Sequence, residues 1–133
     1  MSPRHPTGPV SPAQRRATGN AVEQIAARWL TARGLRLIES NYHCRLGEID
    51  LVMRDVDTLV FVEVRYRSHS RFMQPITSVD ARKQRKLLRA ATVYLQHRKL
   101  AGRTPCRFDV LGIHRQVDGR TLQFDWITNA ISG

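Results

Sequence analysis

The chain has 133 residues, which suits one domain with a single hydrophobic core. Its 22 lysines and arginines outnumber its 11 aspartates and glutamates, and the formal net charge of +11 favours a polyanionic partner, nucleic acid first and an anionic membrane second. No apolar run approaches the roughly 20 residues that span a bilayer, and the N-terminus lacks the apolar segment of a signal peptide. We therefore expect a cytoplasmic protein outside the membrane.

The N-terminal part of the chain predicts a tail followed by a helix. Residues 1–17 contain four of the six prolines, which is typical of a disordered segment, and residues 18–133 are expected to form one domain. The helix is predicted to begin at Asn20 as its N-cap and to end at Gly34. Glu23 falls three residues after the cap and at the edge of the apolar stripe. It is either a capping glutamate or a carboxylate that leans over a sheet.

The middle of the chain predicts a β-hairpin preceded by a further strand over residues 35–42. Residues 47–52 and 59–65 are rich in β-branched and large apolar side chains, as strands are. The polar residues 54–57 between them are expected to form the loop. Each stretch nevertheless carries acidic residues where a core strand should carry none.

The register of this hairpin decides which acidic side chains share a face. If residues 54–57 form the loop, Glu48 faces Glu63. Asp50, Glu63 and Arg65 then project from one side of the sheet, because the side-chain period of a strand is two. The diagonal from Asp50 to Glu63 would measure about 7–8 Å between backbones. A change of one residue in loop length would place these side chains on opposite faces.

Two carboxylates at this separation favour a hard divalent cation, Mg²⁺ or Mn²⁺, which takes oxygen ligands. Asp50 and Glu63, with the main-chain carbonyl of Val64, would supply such ligands. Arg65 would stabilise the negative charge that develops on a phosphodiester. This is the chemistry of metal-dependent nucleases. The alternative is that Glu48 and Glu63 pair with neighbouring arginines on a solvated face of the sheet.

A second helix is predicted to begin after Thr77 or Ser78, either of which could cap it, and to continue to about Lys99. It carries a cluster of basic residues, which we call the basic ridge: Arg82, Arg85, Lys86 and Arg89. Like charges one turn apart repel, and bound phosphate would remove this cost. The basic ridge is therefore either a nucleic-acid contact or a solvated face. Lys83 is rotated inward and could reach the acidic site, and Arg67, after the hairpin, is expected at its rim.

Two more strands complete the predicted sheet. Residues 106–114 are mostly apolar, and Asp109 within them is expected to be paired or near an edge. Asp118-Gly119 signals a turn before a last strand over residues 121–127. The order α-β-β-β-α-β-β predicts an α/β protein with a mixed sheet flanked by helices.

Two segments make the sequence recognisable, residues 41–52 with Gly-Glu-Ile-Asp and residues 61–67 with Phe-Val-Glu-Val. Through them the chain closely resembles the small bacterial YraN-type uncharacterised family, from about Gly19 to Val110. That family is similar to the PD-(D/E)xK nuclease superfamily and to archaeal Holliday-junction resolvases. The resemblance implies a restriction-endonuclease-like fold. It also implies an acidic site made by Glu23, Asp50 and Glu63.

One position departs from the superfamily pattern, because the third motif residue is usually lysine and this chain has Arg65. Arginine keeps the positive charge but cannot act as a proton-transfer base. An electrostatic role of Arg65 survives this change, whereas the role of a lysine base does not.

The sequence as a whole predicts a DNA-binding protein with an Mg²⁺- or Mn²⁺-dependent endonuclease site, with branched or single-stranded DNA as candidate substrates. Asp50 and Glu63 would be the metal ligands and Glu23 an additional or supporting carboxylate. Arg65 would stabilise charge, and Lys83 would contact phosphate. The alternatives are a non-catalytic nucleic-acid-binding module descended from a nuclease and a protein-interaction module with an acidic partner. The oligomeric state stays open, and a homodimer is one option.

Overall fold

The described part of the chain forms a five-stranded mixed sheet with a helix on each face. The structure is a computed structural model that describes the backbone of residues 12–67 and 79–131, with side chains from residue 20 onward. The elements are α1 (Pro12–Thr31), β1 (Arg36–Cys44), β2 (Gly47–Asp55), β3 (Thr58–Arg67), α2 (Ala81–His97), β4 (Cys106–Arg115) and β5 (Leu122–Ile127). The predicted fold class and element order are confirmed.

The strands lie in the order β1-β2-β3-β4-β5, and all neighbours are antiparallel except β3 and β4. Parallel neighbours need a long crossover, and α2 lies in the connection between them. Helix α1 packs on one face of the sheet, where Leu30 meets Leu51 and Val62. Helix α2 packs on the other face, where Tyr94 meets Phe61. The central strands are therefore covered on both sides and are almost continuously apolar.

Helix α1 begins at Pro12, eight residues before the predicted cap, so the prediction of Asn20 as N-cap is wrong. Proline is favoured in the first turn of a helix, and the alanines, glutamine and arginines that follow are good helix formers. The predicted tail thus overlaps this helix, while residues 1–11 lie outside the described residues. The predicted stop is confirmed, because Gly34 follows the helix with a φ of +101°.

Helix α2 is capped by Asp80, whose side chain accepts a hydrogen bond of 2.8 Å from the main-chain N–H of Lys83. The predicted caps Thr77 and Ser78 lie outside the described residues, and Asp80 takes their role because aspartate is an equally good capping residue. Neither helix of the described residues is long and apolar enough to cross a membrane. The cytoplasmic location stays a prediction.

The turn between β2 and β3 has two residues, Val56-Asp57, and the predicted four-residue loop is wrong. Arg54 and Asp55 extend β2, and Asp55 pairs with Thr58. Val56 takes a positive φ of 55°, which lets the chain reverse within two residues. The register is therefore shifted by two residues from the predicted one. Because a shift of two is one full side-chain period, the paired residues 51–55 and 58–62 stay on their predicted faces.

The pairing partners of the acidic residues change with this register. Leu51 pairs with Val62, so the next pair along the hairpin would be Asp50 and Glu63. In this register Glu48 is no longer in line with Glu63, and its partner on β1 is His43. Continued in this register, the hairpin would place Asp50 directly opposite Glu63 and not diagonal to it.

The sheet divides where the pairing of β2 with β3 ends. That pairing runs from Asp55 and Thr58 to Leu51 and Val62. Beyond it, residues 47–49 of β2 pair with β1, and residues 63–67 of β3 pair with β4. We call the gap between residues 47–50 and residues 63–67 the fork.

Candidate functional site

Asp50 connects the two arms of the fork. Its Oδ2 accepts a hydrogen bond of 2.8 Å from the main-chain N–H of Val64. Val64 lies two residues beyond Val62, the last residue of β3 that pairs with β2. The carboxylate thus accepts from a main-chain N–H that has no partner on β2, because the pairing of β2 with β3 has ended. Since Asp50 is partly buried, this contact holds its side chain inside the fork.

Glu63 lies on the other arm and is 5% exposed. Its Oε1 is 2.5 Å from Nζ of Lys83, which reaches the fork from the first turn of α2. The side chain of Lys83 is 48% exposed, so the ion pair opens to solvent on the side of the helix. The structure therefore brings Lys83 to the acidic site, as its inward rotation on the helix predicted.

The electrostatics of the fork are dominated by burial and by repulsion between carboxylates. Burial first, and then the charge of Glu63, raise the pKa of Asp50 to about 8, while the hydrogen bond from Val64 acts in the opposite direction. Glu23 adds a further repulsion and Lys83 a further attraction. In the metal-free protein, Asp50 is thus mostly protonated at neutral pH.

Glu23 of α1 belongs to the same cluster. Its pKa is raised by burial and by the charges of Glu48 and Glu63, and His43 acts in the opposite direction. The interpretation of Glu23 as a capping residue is wrong, since α1 begins at Pro12 and Glu23 lies well inside it. It is the carboxylate of α1 that interacts with the fork.

A cavity of about 730 Å³ opens at the fork. Its walls are the turn end of β1 and β2, with His43 and Glu48, and the start of α2, with Arg82 and Lys86, and Glu63 also lines it. The β2 arm touches the helix at Gly47. A Cβ atom at Gly47 would lie 2.8 Å from the main-chain oxygen of Lys86. Glycine is therefore required for this close approach, which fixes the width of the cavity.

The basic ridge is exposed along α2. Arg82 and Lys86 line the cavity, and Arg85 and Arg89 stand on the exposed surface of the same helix outside the cavity lining. Arg65 and Arg67 lie on the β3 arm and are partly buried. The predicted nucleic-acid contacts therefore all lie on the two elements, α2 and β3, that border the fork.

The donor set at the fork fits a hard cation. Among the described residues, no group of three or more histidine, cysteine, aspartate and glutamate side chains is arranged to hold a metal ion. Mg²⁺ needs fewer protein ligands, because it is commonly bound by one or two carboxylates and keeps several waters. Asp50 and Glu63 supply two carboxylates whose mutual repulsion raises the pKa of Asp50, and a divalent cation would offset that repulsion.

Sequence reasoning missed the contact between His43 and Glu48, whose Nδ1 and Oε2 atoms are 3.2 Å apart. The first strand was predicted to end at residue 42, whereas β1 continues to Cys44 and leaves the two-residue turn Arg45-Leu46. Extending the first strand up to that turn would have placed His43 opposite Glu48.

Fold and site together define a mixed α/β protein with an acidic cluster where its sheet divides. The chain belongs to the uncharacterised protein family UPF0102, whose model matches residues 22–113, and the predicted YraN-type membership is thereby confirmed. It is 54% identical to a UPF0102 protein of Nitrosococcus oceani over 91% of this chain and 96% of that protein. It is 46% identical to one of Alcanivorax borkumensis over 87% of this chain and 92% of that protein.

A structural likeness was also found to a solved structure of SfsA of Pyrococcus furiosus in complex with Ca²⁺. The TM-score is 0.38 and the sequence identity is 17%, with 86% of this chain and 63% of that chain covered.

Proposed function

We propose that this protein is a nuclease-like enzyme that binds DNA and cleaves its phosphodiester bonds at the fork with the help of Mg²⁺ or Mn²⁺. The observation that carries the proposal is the pair of carboxylates, Asp50 and Glu63, held together where the two arms of the sheet separate. Pairs of like charges that the fold holds close together, despite their repulsion, are typical of functional sites. The cavity beside this pair has basic residues on its helical wall, which suits a phosphate group.

Each residue of the fork has a role in this proposal. Asp50 and Glu63 would hold the cation, together with the main-chain carbonyl of Val64. A cation held there would supply Lewis-acid chemistry for phosphodiester hydrolysis. Arg65 stabilises negative charge on the phosphate, and Lys83, on the cavity side of Glu63, contacts a phosphate oxygen. Glu23 supports the cluster from α1.

The basic ridge would bind DNA outside the cavity, with Arg67 at the rim. Its four positively charged side chains are all exposed on α2. They repel one another, and bound phosphate groups would relieve this repulsion. Each phosphate contact contributes about 0.9 to the slope of log K against log salt concentration on duplex DNA. Replacing Arg82, Lys86 and Arg89 by glutamine should flatten that slope by about two to three units.

A charge-matched control uses cations that do not line the cavity. Replacing Lys99, Arg103 and Arg120 by glutamine removes the same charge from exposed positions in the α2–β4 and β4–β5 connections. This variant should keep the slope of the wild type. Equal slopes in all three proteins would show that the basic ridge is a solvated face.

The proposal is tested by cleavage of a panel of duplex, single-stranded, flap and four-way DNA in Mg²⁺ and in Mn²⁺. Wild-type protein should cleave at least one of these DNAs and should bind about one Mn²⁺ in calorimetric titration. Asp50→Asn should lose both properties. Asp57→Asn, which removes an exposed carboxylate of the β2–β3 turn, should keep both. Equal Mn²⁺ binding by wild type and Asp50→Asn would contradict the proposed metal site.

The second candidate is a nucleic-acid-binding module without catalysis. The observation that favours it is the ion pair between Lys83 and Glu63, which places an ammonium group against a carboxylate that the cation would need. Arg65, in the position of the superfamily's lysine, favours it as well.

The Arg65→Lys variant separates the two candidates. Lysine keeps the positive charge but lacks the bulky planar guanidinium of arginine. That bulk can displace the attacking water, and a small displacement of a reacting group costs about a hundredfold in rate. We expect faster cleavage by Arg65→Lys at almost unchanged DNA affinity. The control, Arg65→Lys with Glu63→Ala, should bind DNA without cleaving it. If no variant cleaves any DNA with either metal, the binding module is the better description.

A further inference from the structure

The pair of His43 and Glu48 has no role in the proposed function, yet it lies at the fork. The two residues face each other across β1 and β2, and Nδ1 of His43 is 3.2 Å from Oε2 of Glu48. Both side chains are 61% exposed, and both line the cavity that also contains Glu63 and Lys83. A histidine held by a carboxylate therefore faces the space where the substrate would bind.

The charged groups around His43 come from four elements. Glu48 contacts it from β2, and Glu23 of α1 interacts with both of them. Glu63 of β3 and the cations of α2 share the same cavity: Arg82, Lys83 and Lys86. His43 thus lines a cavity that is bordered by acidic side chains and by a basic helix.

Hydrolysis of a phosphodiester is faster when a positioned group accepts a proton from the attacking water. Arg65 cannot serve, because a guanidinium does not lose its proton in proteins. Lys83 is engaged with Glu63. In the proposed function, the carboxylates of Asp50 and Glu63 would hold the cation. Histidine suits the task because its ordinary pKa lies near neutral pH. A carboxylate at Nδ1 favours the tautomer that carries its proton there and leaves Nε2 as the acceptor.

We propose that His43, oriented by Glu48, is the general base of this site. The water oxygen forms a bond to phosphorus while one of its protons moves to Nε2 of His43. The bond from phosphorus to the leaving nucleoside oxygen breaks, and that oxygen takes a proton from solvent. His43 then returns its proton to solvent, so the net reaction is addition of water to the diester. This inference rests on the proposed nuclease function.

The first test needs neither metal nor DNA. In ¹⁵N spectra of the protein at pH 8, the imidazole of His43, assigned by its loss in His43→Ala, should carry its proton on Nδ1. Glu48→Ala should shift it toward the tautomer protonated on Nε2, which is the commoner form of free histidine. A wild-type His43 protonated on Nε2, or a tautomer unaffected by Glu48→Ala, would overturn the proposal.

The second test measures cleavage in Mn²⁺. His43→Ala should lower kcat by about a hundredfold, the lower end of the usual contribution of a general base, with little change in KM. Added imidazole should restore part of the rate in proportion to its free-base concentration, which a merely structural role of His43 would not produce. His97→Ala, at the far end of α2 and outside the cavity lining, should keep the wild-type rate.

The outcomes separate this inference from the proposed function. If wild type and His43→Ala cleave equally fast, or if imidazole fails to restore the rate, the role of His43 is wrong while the nuclease function stands. If the wild type cleaves no DNA with either metal, the nuclease function fails and the role of His43 fails with it.

Discussion

Two aspartates near the middle of the sheet differ in how their charge is satisfied. Asp109 of β4 is fully buried and accepts hydrogen bonds from Arg107 Nε at 3.1 Å, Trp126 Nε1 at 3.0 Å and the main-chain N–H of Asn129 at 2.8 Å. Asp50, at the fork, accepts one hydrogen bond from the main chain of Val64 and has a second carboxylate beside it.

This difference separates a carboxylate whose charge the fold satisfies from one whose charge it does not. A buried charge costs little only when it is paired and its lone pairs are filled, and Asp109 meets both conditions. Asp50 meets neither, because the charge of Glu63 and burial both oppose its ionisation. The fold keeps such a group at a cost in stability, which is typical of binding and catalytic sites.

The largest expected effect is on the structural side of the comparison. Asp109→Asn should lower the free energy of unfolding by about 3 kcal/mol, because it leaves the guanidinium of Arg107 without its buried partner. Asp50→Asn should cost much less at pH 7.5, since it replaces a carboxyl group that is already mostly neutral. Urea unfolding of the three proteins measures both values. Equal losses in the two variants would show that the comparison is wrong.

A pH series sharpens the comparison at Asp50. The folded-state pKa of about 8 lies above the ordinary value of 3.8, so the folded protein holds more protons than the unfolded chain between these values. The contribution of Asp50 to stability is therefore complete below about pH 4 and is lost as the pH rises through 8. The free energy of unfolding should therefore fall as the pH rises through this range.

The matching variants isolate this contribution. Asp50→Asn should remove the pH-dependent loss, so that its stability relative to wild type improves from pH 5 to pH 8. Asp57→Asn, in the exposed β2–β3 turn, should follow the wild-type curve. A relative stability of Asp50→Asn that stays constant across this range would show that Asp50 is ionised throughout.

The faces of the hairpin could be predicted from sequence, and its register could not. Side-chain alternation predicts one face for Asp50, Glu63 and Arg65, and a shift of two residues does not change that prediction. The loop between β2 and β3 is predicted two residues too long, because Arg54 and Asp55 are polar. In the folded protein, Asp55 can stay in the strand because Arg107 of β4 donates to it at 2.9 Å. A contact between residues so far apart in sequence leaves no signal in the local pattern.

The helical side of the site shows the same limit. The position of Lys83 could be predicted, because the 3.6-residue period of α2 turns it toward the buried stripe. The role of Asp109 could be expected only as some form of pairing, since its donors come from β4, β5 and the residues that follow β5. Predicting the contact between His43 and Glu48 requires the correct end of β1. The ends of strands are less strongly marked in sequence than their centres.

The smallest expected effect tests what Lys83 does at the fork. Its ammonium group lies against Glu63 and competes with a cation for that carboxylate, so Lys83→Gln should bind Mn²⁺ more tightly. Two unit charges 4 Å apart interact by about 4 kcal/mol near a protein surface. Because Lys83 is half exposed, we expect about a third of this value, which corresponds to roughly a tenfold gain in affinity.

Arg82→Gln is the matched control for Lys83→Gln, because it removes the same charge one residue earlier, where the side chain is exposed on the wall of the cavity. Calorimetric titration with Mn²⁺ should show a change of less than about twofold in this variant. Equal gains in both variants would mean that Mn²⁺ responds to the total charge of α2 and not to the ion pair. A weaker affinity in Lys83→Gln would mean that Lys83 orients Glu63 for the metal, as a support and not as a competitor.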